Sequence, residues 1–149
     1  VPSPHRIYTE LVDTPIDMLS LAEKTGDPDV GAHAWFIGVT RRTTGEQITQ
    51  TLDYEAHRPM AIEQIKQIAF HAIEKFSLAH VVIVHRLGSV PIGEASIVVG
   101  CSSAHRVDSF AALPWMMDTL KQDVAIWKRE TYANGQQQWV HPASEPPEA

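Results

Sequence analysis

The chain reads as an α+β domain, with helices packed against a largely antiparallel or mixed sheet. Three observations point there. Between Met60 and Phe76, the residues Ile62, Ile65, Ile68, Ala69, Ala72, Ile73 and Phe76 trace one apolar stripe at helical period. Short apolar runs of strand character, such as AHAWFIGV at Ala32–Val39, stand between turn-forming segments. Near the end, Asn134-Gly135 separates WKRETYA from QQQWV, a strong hairpin signal.

Taken in order, His5–Val12 alternates weakly and reads as a first strand. Thr14 offers a helix N-cap, Pro15 suits the first helical position, and Gly26 can end that helix. Ala32–Val39 reads as a buried strand and leads through a polar loop, RRTTGEQ, to a second strand at Ile48–Ala56. After the helix Met60–Phe76 come strands near His80–Leu87 and Glu94–Cys101, joined by the turn-forming GSVPIG. A third helix covers His105–Gln122, and the hairpin follows. The order is β-α-β-β-α-β-β-α-β-β. No internal repeat or linker divides the chain, so residues 1–140 are expected to form one domain. Residues 141–149, HPASEPPEA, are Pro- and Glu-rich and are expected to be a frayed tail.

Composition narrows the function. A chain of 149 residues buries roughly 70% of the surface its unfolded form exposes, enough for a real core. Its 44% hydrophobic and 20% charged content is that of a soluble globular protein. No run approaches the roughly 18 apolar residues of a membrane span, and VPSPHRIYTE lacks a secretory signal's features. The single cysteine, Cys101, excludes an internal disulfide framework and suits a reducing cytoplasm. A net charge of −6 argues against a broad nucleic-acid surface, as does the lack of an aromatic-basic stripe. Any anion site must be a local basic pocket on an acidic protein.

The stretch Ser102–Glu130, SSAHRVDSFAALPWMMDTLKQDVAIWKRE, holds such a concentration. A strand runs into Ser102-Ser103 and then a helix, where serine can cap and uncovered N–H groups favour an anion. His105 and Arg106 stand in the first turn, where positive charge opposes the helix dipole, which suggests an anion-binding role. The alternative is that His105 satisfies a buried carbonyl and Arg106 pairs with a surface acid. Lys121 ends the helix, so simple capping would explain it. It also shares a face with Met117 beside the apolar stripe Val107, Phe110, Pro114, Met117, Val124, and desolvation there would favour a neutral amine able to act as base or nucleophile. Strand alternation puts Lys128 and Glu130 on one face and Trp127 and Arg129 on the other; on spacing alone Lys128 reads as an exposed strand lysine.

SSAHR, a helix, MDTLK and IWKRE together resemble the large, catalytic subunit of molybdopterin synthase. Three further segments agree in the family's order: FIGVTR at Phe36–Arg41, LDYEAHRPMA at Leu52–Ala61 and HRLGSVPIGEASIVVG at His85–Gly100. The resemblance implies an α/β-hammerhead-like domain with an additional small antiparallel β subdomain. It implies a sulfurtransferase that converts cyclic pyranopterin monophosphate into the molybdopterin dithiolene. Sulfur would arrive as a thiocarboxylate on the C-terminal Gly-Gly of a small ubiquitin-like partner subunit, so no cofactor and no metal of its own is expected. A homodimer of large subunits within a heterotetramer is implied as well.

Carried onto this chain, the family's essential lysines correspond to Lys121 and Lys128. Lys121 would meet the partner's terminal carbonyl as base or transient acyl acceptor, and Lys128 would hold or protonate the pterin. Arg41 matches the family's substrate-binding arginine, with Val39 and Thr40 lining the same turn. His105 and Arg106 match its anion-binding pair, Arg129 and Glu130 adjoin Lys128, and Met117 shares the face of Lys121. An arginine fork suits a phosphate, and a lysine supplies a point charge. The fifteen residues from Arg106 to Lys121 span roughly 22 Å of straight helix, too far for one small pterin to touch both ends. A composite site is therefore expected, with Lys121, Lys128 and Arg41 from one protomer and His105 and Arg106 from its mate.

Three departures from the family pattern bear on geometry. Pro114 inside the third helix removes a backbone hydrogen bond and should kink it. Ala125 stands where a proline commonly precedes IWK, loosening the link between the lysines. Arg42 replaces a more often uncharged residue and adds to the anion field near Arg41.

Other residues carry less. Cys101 ends an apolar strand and reads as a buried structural thiol. His80 and His85 fall on opposite strand faces, and the chain has no CxxC or HxxxH pattern. Trp35 and Phe36 read mostly as core, although one of them could border the pterin; Arg86 reads as structural, and Gly88, Pro91 and Gly93 as turn formers. The competing function is a non-catalytic anion-binding or assembly module using Arg41, His105 and Arg106. Simple anion binding would not need both lysines, which favours the enzyme.

Overall fold

The computed structural model describes residues 6–141. Among them, nine strands and three helices build two sheets around a shared core. The first sheet runs β1 (Ile7–Val12), β5 (His80–Arg86), β7 (Ala95–Ser103), β2 (Ala32–Val39); β1 is parallel to β5 and the other pairs are antiparallel. Its centre is covered on both faces, which explains the unbroken apolar run Val81–Val84. Val81, Ile83, Val99 and Cys101 face the core shared with α2 (Arg58–Phe76) and α3 (Arg106–Asp123). Val82, Val84 and Val98 face the other way and pack with Leu21 of α1 (Met18–Ala22).

Helix α2 follows its stripe. Ala61, Ile65, Ile68, Ala69, Ala72 and Ile73 are buried, and each buried isoleucine contributes about 1.5–3 kcal/mol by leaving water. The helix starts two residues earlier than Met60, because the Met60 N–H donates to Nδ1 of His57 at 3.3 Å and Pro59 fits the first turn. It ends at Ser77, whose φ of 55° lies in the left-handed region that helix ends commonly use.

The second sheet is antiparallel. Its central strand β4 (Gln47–Ala56) pairs along one edge with β8 (Ile126–Tyr132), which pairs in turn with β9 (Gln137–Val140). Along the other edge lie β3 (Thr43–Thr44) and β6 (Gly88–Val90). Leu52, Tyr54 and Ile126 tie this sheet into the core of α2 and α3. The hairpin turns at Gly135, where φ is +87°. The α+β class, with a second antiparallel sheet, is borne out.

Several local expectations give way. The first helix begins at Met18, not at Thr14–Pro15, because the Asp17 carboxylate accepts from the N–H groups of Leu19 and Ser20 at 3.1 and 3.4 Å. A 3-10 turn, Glu23–Thr25, then carries it to Gly26. RRTTGEQ and GSVPIG are not plain loops, since β3 and β6 each pair with β4. In α3 the buried face is Ser109, Ala112, Met116 and Leu120, while Val107 and Phe110 are about two-thirds exposed (67% and 66%). The expected stripe fails in its N-terminal half, where a small polar residue, Ser109, takes the inward place, whereas Met117 packs against the core and Val124 is buried in it. Pro114 lies within one unbroken helical span. Among the described residues no helix is long and apolar enough to cross a membrane. His5 and the expected tail beyond His141 lie outside the described residues.

Candidate active site

Where the C-terminal end of α3 meets the inner face of the second sheet, a cavity of about 620 Å³ opens. Arg41, Lys121, Lys128 and Glu130 line it, together with apolar side chains that include Ile65 and Ile97. Of the residues expected from sequence, Val39, Arg41, Met117, Lys121, Lys128 and Glu130 meet on this wall. Thr40, Arg129, His105 and Arg106 do not.

The turn at Val39–Arg41 is held from below. The β2–β7 register slips between Gly38 and Val39, and Val39 and Arg41 beyond the slip line the cavity. Thr40 is buried; its hydroxyl donates to the Val90 carbonyl at 3.2 Å and its N–H to the Glu94 carbonyl at 3.1 Å. Thr40 therefore braces Arg41 instead of facing the cavity. Lys121 follows buried Leu120 and one turn after half-buried Met117, so the helix sets it at the cavity's edge. Lys128 lies in β8 directly opposite Tyr54 of β4 and Val140 of β9.

The link between the lysines is fastened. The Ala125 N–H donates to Oε1 of Gln64 at 2.8 Å, the Ala125 carbonyl accepts from the His57 N–H at 3.2 Å, and His141 Nε2 contacts the Val124 carbonyl at 2.9 Å. A proline at 125 could not make the first of these bonds. What alanine loses in stiffness, the tie to α2 restores, so the expected loosening is offset.

Glu130 is buried beside Lys128's side of the sheet. Its Oε1 accepts from the hydroxyls of Thr44 at 2.6 Å and Thr49 at 2.5 Å, and its Oε2 from Tyr132 at 3.2 Å. Burial alone would raise its pKa, but these three donors and the charge of Lys128 outweigh it and hold the carboxyl below its ordinary value. Glu130 is thus a fixed anion within a basic wall. Arg129, on the opposite face as alternation required, stacks over Trp139 at 5.3 Å and stands 3.6 Å from Asp53.

At the far end of α3, His105 is the N-cap residue but makes no side-chain cap bond, and both His105 and Arg106 are exposed. Neither serine caps the helix as expected. Ser102 is buried toward the other face, and the Ser103 hydroxyl donates to the His105 carbonyl at 2.6 Å and meets Ser109 Oγ at 2.6 Å. Cys101 is buried as expected; burial pushes its thiol up to about 11, and Sγ donates to the Ser109 carbonyl at 3.6 Å. Among the described residues no three His, Cys, Asp or Glu side chains are placed to hold a metal ion.

Tyr54, His85, Thr44 and Gln138 also line the cavity and were not expected there. For His85 a signal was available: it shares a face with Val81 and Ile83, which point to the core. Tyr54 likewise alternates with buried Leu52.

The MoaE protein family model matches residues 11–123. The molybdopterin synthase catalytic subunit of Aspergillus fumigatus is 39% identical over 135 residues, covering 91% of this chain and 72% of its own. That of Drosophila willistoni is 42% identical over 126 residues; the match covers 84% of this chain, which spans only 34% of that longer relative. The crystal structure of molybdopterin synthase from Staphylococcus aureus superposes with a TM-score of 0.83 at 32% identity, covering 88% of this chain and 95% of that one. The chain therefore belongs to the MoaE family of molybdopterin synthase catalytic subunits.

Proposed function

We propose that the cavity is where this chain moves sulfur from the C-terminal thiocarboxylate of a small ubiquitin-like subunit onto cyclic pyranopterin monophosphate, forming the molybdopterin dithiolene. One observation supports this most directly: Arg41 from the loop after β2, Lys121 from α3 and Lys128 from β8 converge on a single 620 Å³ cavity. That volume lies in the range of small-molecule sites. Lys121 meets the partner's terminal carbonyl as base or transient acyl acceptor, and Lys128 holds or protonates the pterin. Arg41 supplies a fork for phosphate. Glu130 keeps Lys128 aligned through its fixed charge.

The relatives are named catalytic subunits, which fits a separate sulfur-carrying subunit. The sulfur comes with that partner, so the chain works without a cofactor or metal of its own, in the cytoplasm. His105 and Arg106 stand outside the cavity and serve the site of a second copy in a homodimer, within a heterotetramer. The test mixes the purified chain, a thiocarboxylated partner and the pyranopterin, and looks for dithiolene product. Product in proportion to partner is the expected result, and none with a competent partner would sink the proposal.

A further inference from the structure

His85 is a cavity-wall residue that the proposed chemistry does not use. It is buried in β5 on the face of Val81 and Ile83. Its Nδ1 lies 2.8 Å from the Arg86 carbonyl oxygen. A carbonyl only accepts, so Nδ1 carries the hydrogen and the neutral ring keeps its lone pair at Nε2. Burial pushes the ring's pKa down to about 4, against the pull of that carbonyl, so the ring is neutral near pH 7.

The ring's place in the cavity is set by Tyr54, which it meets edge to face with centroids 4.9 Å apart. Tyr54 is the cross-strand partner of Lys128, so His85 borders the space that Lys128 serves. The rest of the wall is rich in donors. Arg41, Lys121 and Lys128 donate only. Glu130 already accepts from Thr44 and Thr49, and the single hydroxyl hydrogen of Tyr132 is shared between Glu130 Oε2 at 3.2 Å and Gln138 Oε1 at 3.4 Å. His85 adds an uncharged acceptor.

We infer that His85 is a specificity-determining residue whose Nε2 accepts a hydrogen bond from an N–H or O–H of the pterin lying beside Lys128. This rests on the function proposed above. A carboxylate at that place would be drawn to Lys128, whereas a neutral imidazole discriminates without competing for the cation. A molecule lacking the donor would leave Nε2 desolvated and unpaired, a larger penalty than the bond's own worth.

The experiment compares the wild type with His85→Phe, His85→Gln and His85→Asn, each with the thiocarboxylated partner and cyclic pyranopterin monophosphate. Phenylalanine keeps ring volume and removes the acceptor; KM should rise about tenfold while kcat stays within about twofold. Glutamine can carry an amide oxygen to the Nε2 position and should return KM toward the wild type. Asparagine reaches only as far as Nδ1 and should keep the defect. If His85→Phe fails to fold, the contrast between Gln and Asn carries the test, because a purely structural role would not make them differ in KM alone. An unchanged KM in His85→Phe, or equal KM values in the Gln and Asn variants, overturns the inference. A wild type without turnover would instead overturn the proposed function, and this inference with it.

Discussion

The two ends of α3 carry cations in opposite settings. At its C-terminal end Lys121 is half-buried on the wall of a cavity that Arg41, Lys128 and Glu130 also line. At its N-terminal end His105 and Arg106 are exposed, and the helix start lacks a side-chain cap. Below the N-terminal end, though, the turn is firmly braced by Ser103, Ser109 and Cys101. One end has walls, and low-dielectric walls strengthen electrostatics. The other has a rigid turn but no walls. Roughly 22 Å of helix separates them, so they cannot act on the same small molecule within one chain.

The sharpest way to break this contrast is to remove Lys121. Lys121→Ala should lower turnover by at least about 100-fold, the scale of a lost acid–base or nucleophilic group. The melting temperature should hold, since the residue is not part of the core. Turnover within tenfold of the wild type would refute the role given to the cavity end.

Mixing tests the other end. Arg106→Ala alone should also impair turnover if the exposed end completes a neighbour's cavity. Co-folded Lys121→Ala and Arg106→Ala chains would then place both lesions in one site and leave the other site intact. Random pairing should recover up to about a quarter of the wild-type sites in the mixture. No recovery above the separate variants would count against a shared site.

A smaller effect belongs to Glu130. Its folded pKa lies below the ordinary carboxylate value, so the folded state disfavours the proton. The stability it contributes is therefore present above the unfolded pKa of about 4.3 and is lost as pH falls through the lower folded value. Glu130→Gln should cost about 1–3 kcal/mol at pH 7, because Thr44, Thr49 and Tyr132 lose their charged acceptor. Urea unfolding should show the gap narrowing below about pH 4. A gap that persists unchanged at pH 3 would mean the network contributes shape and not charge.

How far these features can be read from sequence follows their range along the chain. The strand Ala32–Val39 and the stripe of α2 are local patterns and appear where expected, although the strand is an edge strand buried only at Ala34, with Phe36, Ile37 and Val39 exposed. The alternation of Lys128 and Glu130 against Arg129 is local too, and it separated the cavity face from the outer one correctly. The stripe of α3 misled because Ser109 is buried by a partner at Ser103, a contact hydropathy does not encode. Strands β3 and β6 are two and three residues long and exist only as partners of β4. Thr44 and Thr49 meet Glu130 from more than 80 residues away, and His85 meets Tyr54 across two sheets. Family resemblance supplied the lysines, the arginines and Glu130; it did not supply the hydroxyls of Thr44, Thr49 and Tyr132 that fix Glu130, or His85.

Cys101 offers the smallest effect and still separates the ends. It braces the N-terminal turn of α3 from within the core and faces no substrate. With its thiol raised to about 11, only roughly one in a thousand would be thiolate at pH 8. Thiol reagents should leave the native protein unlabelled and label it fully in urea. Cys101→Ala removes one sulfur from a close-packed site and should cost on the order of 1 kcal/mol, measured as a modest drop in melting temperature. Turnover should stay within about twofold, because under the function proposed above the sulfur arrives on a partner and this thiol takes no part. A large loss of activity with the fold intact would place chemistry at the end of α3 that has no cavity, and the contrast between the two ends would fail.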